Sequence, residues 1–383
     1  TVKAVVGGCA RLIAGKEMVR AKVRFGLLIG AIALLVFLIL FQQALRDGLI
    51  TSFVGAIERQ DSPVLVYSTD ARRNLQSSTI TPELEVQVSA ADGVLAVGRI
   101  GQGTYSVTTD GTIKAAAIIG YEKRSLGAPE SLVAGRYPTA DGEGVANVTD
   151  ASEGFDLGDV VRVEPGGYRI RIVGQARDTN LQATPTVFAS YGTWEAAVQA
   201  GNPDAQAPLP NALGAAPAPG VTPNGLVQRI NAVSNDIEAL TRADAATKAP
   251  GVAQVSRSFL VIFLLYGLVV PRVIGLFFLI VTLQKARTLT LLRAVGARSS
   301  TLVRGLLTQV IVVVGLGVAI GTLLFLPLSF QRVGSIPLRF DGPTVIGWAI
   351  GILLLGIASS WFSARRVLRI EPAEALSGGG GGA

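Results

Sequence analysis

Histidine is absent from the 383 residues of this chain. That removes the commonest general base and the commonest metal ligand. The lone cysteine, Cys9, rules out a disulfide framework within the chain. The side chains left for chemistry are charges set among apolar runs. Arg272 follows Pro271 in the apolar stretch Ser258–Leu283. It lies about 12 residues from Gln284, roughly 18 Å of helical rise. A cation at that depth faces a cavity, a partner or a ligand, or else snorkels to the outer headgroups. Glu58 ends another apolar stripe, Leu49–Ile57. Its carboxylate is either a surface charge at a helix end or a ligand for something amphipathic from the outer leaflet. This is the chemistry of pairing and ligation. The outer part of the chain shows no nucleophile–base pair or metal cluster, which speaks against a membrane-anchored enzyme.

A second constellation lies in Gln284–Arg298. Lys285, Arg287, Arg293, Arg298 and Arg304 occur without an acid, between two apolar spans. A short basic loop between membrane helices belongs in the cytoplasm. Leu289, Leu292 and Val295 recur at helical spacing and Gly296 is a suitable stop. The segment therefore reads as a small helix at the membrane surface with one face open to a partner. The nearest approach to a phosphate loop, Ala10–Glu17 with Gly15 and Lys16, lacks the first glycine and the Ser/Thr that holds magnesium. No ATP site is expected in the chain.

The elements around these residues follow from composition. Hydrophobic residues make up 49% and charged residues 16%, a membrane-protein balance. The net charge of +7 sits beside the apolar spans. It reads as topology and lipid contact, not nucleic-acid binding. Residues 1–24 read as a basic interfacial helix and 25–45 as the first span, retained and not cleaved. An outer stalk covers 46–62. An extracytoplasmic α+β domain covers 63–255. Within it Val64–Tyr67, Leu84–Val88, Val94–Val97, Ile113–Ile119, Val160–Val163 and Tyr168–Val173 read as strands. Thr193–Ala200 and Asn231–Thr247 read as its helices. Residues 202–224, rich in Pro, Ala and Gly, read as a flexible excursion.

Further spans are expected at 256–283, 303–328 and 345–363. The cytoplasmic helix at 284–302 and an outer loop at 329–344 connect them. A cytoplasmic tail covers 364–377, and the glycine run 378–383 reads as an appended linker. The expectation is thus an α-helical membrane protein with four transmembrane helices. One α+β extracytoplasmic domain is inserted between the first two, and both termini are cytoplasmic.

This order, together with two motifs, resembles the FtsX/MacB-like ABC permeases, the type VII fold. The motifs are Arg287-Thr-Leu-Thr-Leu-Leu-Arg293-Ala-Val-Gly296-Ala and Ala364-Arg365-Arg366-Val-Leu-Arg369-Ile-Glu371-Pro372-Ala373-Glu374-Ala375-Leu376. Gly315, Gly317 and Gly321 are similar to that family's glycine-rich helix. The resemblance implies a non-catalytic subunit of the bacterial cell membrane. Two copies of the chain would pair with two copies of a separate ATPase. That ATPase would use the ATP and magnesium and would push on Arg287, Leu289, Leu292, Arg293, Val295 and Gly296. No cofactor is expected on this chain itself.

A more diffuse likeness links it to the haem-efflux (HrtB-type) and DevC-like permeases. It rests on Arg24–Ile29, Gln60–Tyr67 and Phe277–Lys285. Haem is flat and apolar, and an arginine such as Arg272 can pair its propionates. Without histidine the iron needs Glu, Tyr or Met. Glu58 and Tyr266 are the outer-side candidates, Glu58 being preferred. Two other readings stay open: a glycolipid or lipoprotein exporter with an outer partner, and mechanotransmission to a cell-wall hydrolase.

Overall fold

In the computed structural model of the chain, residues 22–202, 204, 208–284, 299–330, 332–333, 336–338 and 342–368 are described. They fall into two compact units. One is Arg46–Arg257 with Val333–Pro337; the other combines Thr1–Leu45, Ser258–Arg332 and Leu338–Ala383. The expected interfacial helix at the N-terminus (1–21 of it) and the coupling segment 285–298 lie outside the described residues.

Helix α1 runs from Lys22 to Glu58 without interruption. Its N-terminal half buries Phe25, Leu28, Ile32, Val36, Ile39 and Ala44, a stripe at helical spacing. Strand β1 (Val64–Ser68) follows.

The next element, α2 (Pro82–Ser89), is a helix where the alternation of Leu84, Val86 and Val88 predicts a strand. Local signals override the alternation. Thr81 takes the N-cap position and accepts from the Leu84 amide at 3.4 Å. Pro82 occupies the first turn, and Glu83 and Glu85 face the helix N-terminus. Leu84 and Val88, four apart, then pack inward, while Val86 stays 67% exposed.

Strand β2 (Val94–Thr109) turns at Asp110-Gly111 into β3 (Thr112–Tyr121). Strands β4 (Ala134–Gly135), β5 (Glu143–Asn147), β6 (Val160–Val163), β7 (Tyr168–Ala176) and β8 (Thr186–Ser190) follow. The pairings β2–β3, β3–β8, β8–β5, β5–β7, β7–β6 and β6–β2 close a ring. Closure satisfies strand edges that would otherwise be free. Val107, Ile118, Phe155, Val161, Ile170 and Val187 form its core. Helix α3 (Tyr191–Gly201), capped by Ser190, lies against it.

The N-terminal half of β2 also pairs with β9 (Ala212–Pro217). The order continues antiparallel to β1 and then to β10 (Ile237–Thr241). Strand β9 lies inside the expected excursion 202–224. Its Ala and Leu side chains are small enough to sit fully buried between two strands, so the Pro-rich composition on either side does not decide its state. Nor is 231–247 one helix. Helix α4 (Pro223–Asn231) stops, β10 intervenes, and α5 (Arg242–Thr247) starts at a Thr241 cap. The Asn231 side chain accepts from the Ala239 amide at 2.6 Å and donates to its carbonyl at 3.1 Å, tying β10 back to the helix end.

The helical unit is completed by α6 (Val252–Gln284), which passes unbroken through Pro271, and by α7 (Ser299–Phe325). A short ribbon, β11 (Arg332–Val333) and β12 (Ile336–Pro337), precedes α8 (Gly342–Leu368). Among the described residues three helices are long and apolar enough to cross a membrane: Phe25–Glu58, Val252–Phe277 and Leu307–Phe325. Gly342–Ala358 is a shorter apolar helix.

Candidate functional site

The outer end of α1 is built into the β unit. Val54, Ala56 and Ile57 are buried there with Leu65, Ile119 and Phe188. A loop between β7 and β8 enters the hydrogen-bond ladder of the helix. The Ala56 amide donates to Asn180 O at 3.0 Å. The carbonyls of Phe53 and Ser52 accept from the Gln182 and Ala183 amides at 2.9 and 2.8 Å. Gly55 makes this approach feasible, since a Cβ there would overlap the Asp178 carbonyl oxygen.

Asp178, Gln182 and Ala183 adopt φ of 63, 52 and 57°, a left-handed conformation costly for side-chain-bearing residues. Polar contacts hold the residues between them, Asn180 and Leu181. Asn147 Nδ2 donates to Asn180 Oδ1, Asn180 Nδ2 to Asp150 Oδ1 at 3.3 Å, and the Leu181 backbone amide to Thr186 Oγ1 at 2.9 Å.

The chain leaving α1 is fixed as well. The Glu130 amide donates to Arg59 O at 2.8 Å and the Asp61 amide to Ala128 O at 2.9 Å. Arg242 donates to Gln60 O and meets Glu130, each at 2.5 Å. Burial, reinforced by the Glu130 charge, raises the Asp61 carboxyl above its ordinary range. Glu58 is the last residue of α1 and is exposed, on the outer unit.

In the helical unit, α7 meets α1 through two glycines one turn apart. A Cβ at Gly317 would stand 2.5 Å from Ile32 Cγ2, and one at Gly321 2.5 Å from Ala33 O. Small residues at such spacing let membrane helices touch backbone to backbone. Gly315, grouped with them by sequence, faces open space.

Tyr266 is half-buried in an aromatic row with Phe259, Phe263 and Trp348. Phe263 lies 6.5 Å from its ring and 5.3 Å from that of Trp348. Arg272 is exposed, in a stripe with Leu265, Leu268 and Leu276. The six positions separating it from Tyr266 turn the two about 120° apart around α6 and about 9 Å along it. The structure therefore does not set them side by side. Glu58 belongs to the other unit.

Arg287, Leu289, Leu292, Arg293, Val295 and Gly296 lie outside the described residues. The α1 lock is the feature that sequence reading missed. Gly55 within an apolar stripe and the polar run Asp178-Thr-Asn180 were its only signals.

Residues 257–372 match the family model of the FtsX-like permease C-terminal domain. Over 367 residues the chain is 23% identical to a putative hemin transport system permease protein HrtB of Staphylococcus epidermidis, covering 96% of this chain and 99% of that one. It is 23% identical over 341 residues to an uncharacterized ABC transporter permease of Mycobacterium tuberculosis, covering 87% and 90%. The periplasmic region of MacB from Actinobacillus actinomycetemcomitans aligns with 48% of this chain and 91% of its own, at 12% identity and a TM-score of 0.36. The chain carries an FtsX-like permease C-terminal domain over residues 257–372 and, over most of its length, is similar in sequence to proteins named as ABC transporter permeases.

Proposed function

We propose that this chain is the membrane subunit of an ABC exporter that expels an amphipathic molecule, haem first, from the bacterial cell membrane. It works as a pair with two copies of a separate ATPase, which supplies the ATP and magnesium chemistry. The reading takes four spans, α8 being the fourth, with cytoplasmic termini and the β unit outside. Basic residues at the inner helix ends support that orientation.

The observation that carries the reading is Arg272 within an exposed apolar stripe of α6. A charge in lipid is costly unless an anionic or polar partner meets it. An amphipathic ligand offers both halves of that surface: an apolar body for Leu268 and Leu276, and a carboxylate for the guanidinium. Of the two candidate oxygen donors for the haem iron, Glu58 and Tyr266, Glu58 is preferred. The relatives named for hemin transport support haem as the first substrate to test.

The test is an absorption spectrum of the purified complex with micromolar haem. A Soret shift that Arg272→Ala and Glu58→Ala weaken is expected. Unchanged binding and efflux in both variants would remove these residues from the site. The lock on α1 favours a second reading, in which motion of this helix is itself the output, delivered to an extracellular partner such as a cell-wall hydrolase.

A further inference from the structure

The outer unit has a cleft of about 400 Å³ lined by Thr69, Arg72, Arg73, Glu238, Lys248 and Pro250. Its cations outnumber its carboxylate three to one. We infer that this cleft binds a phosphate-bearing headgroup, with Arg72 and Lys248 as the anion's direct partners and Arg73 as a fixed wall.

Arg73 is held by a two-pronged ion pair to Glu238, Nη2 to Oε1 at 2.7 Å and Nε to Oε2 at 3.0 Å. Its guanidinium is therefore oriented before any ligand arrives. Arg72 is exposed, and Lys248 has only a 3.4 Å contact to Asp244 one turn away, both side chains more than two-fifths exposed. Such an exposed surface pair is worth little and yields readily to a phosphate anion.

Arg72 and Arg73 also occupy consecutive left-handed positions, φ 48 and 67°. A glycine would take that conformation without penalty. Arginine at both positions gives the turn two long cations where the backbone alone would favour none.

The size of the cleft fits an organic phosphate better than a bare ion. Its Lys248–Pro250 wall ends two residues before α6 begins at Val252, so the same stretch of chain runs on into an apolar span. That continuity favours a phospholipid headgroup as the source. The inference is independent of whether haem is the exported molecule.

The experiment uses the full chain in a neutral detergent. It is titrated with dioctanoyl phosphatidylglycerol by native mass spectrometry and with inorganic phosphate by calorimetry. Arg72→Gly with Lys248→Gln should weaken lipid binding about tenfold, the scale of losing one charged hydrogen bond or more. Arg162→Gln, exposed on β6, should leave it unchanged. Glycine suits the left-handed turn, so Arg72→Gly should keep its thermal midpoint, which separates lost binding from lost folding. Equal affinity for inorganic phosphate, lost in the same variant, would keep the anion site and overturn the headgroup as its source. Unchanged binding in the cleft variant, or an equal loss in the Arg162 control, would overturn the inference.

Discussion

At the scale of single residues, Gly55 shows how one missing methyl admits a loop into a helix. Gly55→Ala should drive the 178–183 loop away from α1 and destabilise the outer unit by about 1–3 kcal/mol, the range for overpacked sites. Faster amide exchange at Gln182 and Ala183, read by mass spectrometry, would report it.

Glu143 is the clearest pH marker. The Arg136 guanidinium, at 2.7 Å from Oε2, and the Thr139 amide hold its carboxyl down to about 2. A depressed carboxyl stabilises the fold above its ordinary pKa and loses that contribution as pH falls toward the depressed value. Stability of the outer unit should therefore decline between about pH 4.5 and pH 2, and Glu143→Gln should flatten the decline in a thermal-midpoint series. Arg272 and Glu58 stand out in the sequence as candidates because each is a charge in an apolar run. The lock was not, because it is made largely of backbone groups that every sequence possesses.

At the scale of elements, the apolar helices were readable from length alone, whereas short elements were decided by their ends. Leu84–Val88 alternates like a strand, but Thr81 and Pro82 start a helix. Ala212–Pro217 looks like linker, but two neighbouring strands bury it. Strand pairing is a long-range property, and a local window of sequence does not contain it.

The contact between α1 and α7 gives an element-level prediction. Gly321→Ala places a methyl against Ala33 O, and Gly317→Ala one against Ile32. Each should lower the thermal midpoint in detergent and reduce transport. Gly315→Ala, with nothing within 4 Å, should be neutral in both. A midpoint loss at Gly315 equal to that at Gly321 would show that glycine content, and not this contact, matters.

At the scale of the whole molecule, α1 is one helix with two kinds of attachment. Its N-terminal half packs against Gly317 and Gly321, and its C-terminal end is threaded by the 180–183 loop. In the proposed exporter, a push from a separate ATPase would be passed along this helix. In this reading the cytoplasmic segment around Leu292 receives the push. Leu292→Glu should abolish ATPase assembly or coupling in a pull-down and turnover assay. The β unit should stay folded, as judged by unchanged near-ultraviolet circular dichroism.

The most direct measurement of the central claim is ATP-dependent haem removal from proteoliposomes holding this chain and its copurifying ATPase. Haem-stimulated ATP turnover, a Soret change at micromolar haem, and loss of export in Arg272→Ala with the complex still assembled are expected. Full ATP turnover with no Soret change, no haem export and no effect of Arg272→Ala would contradict that claim.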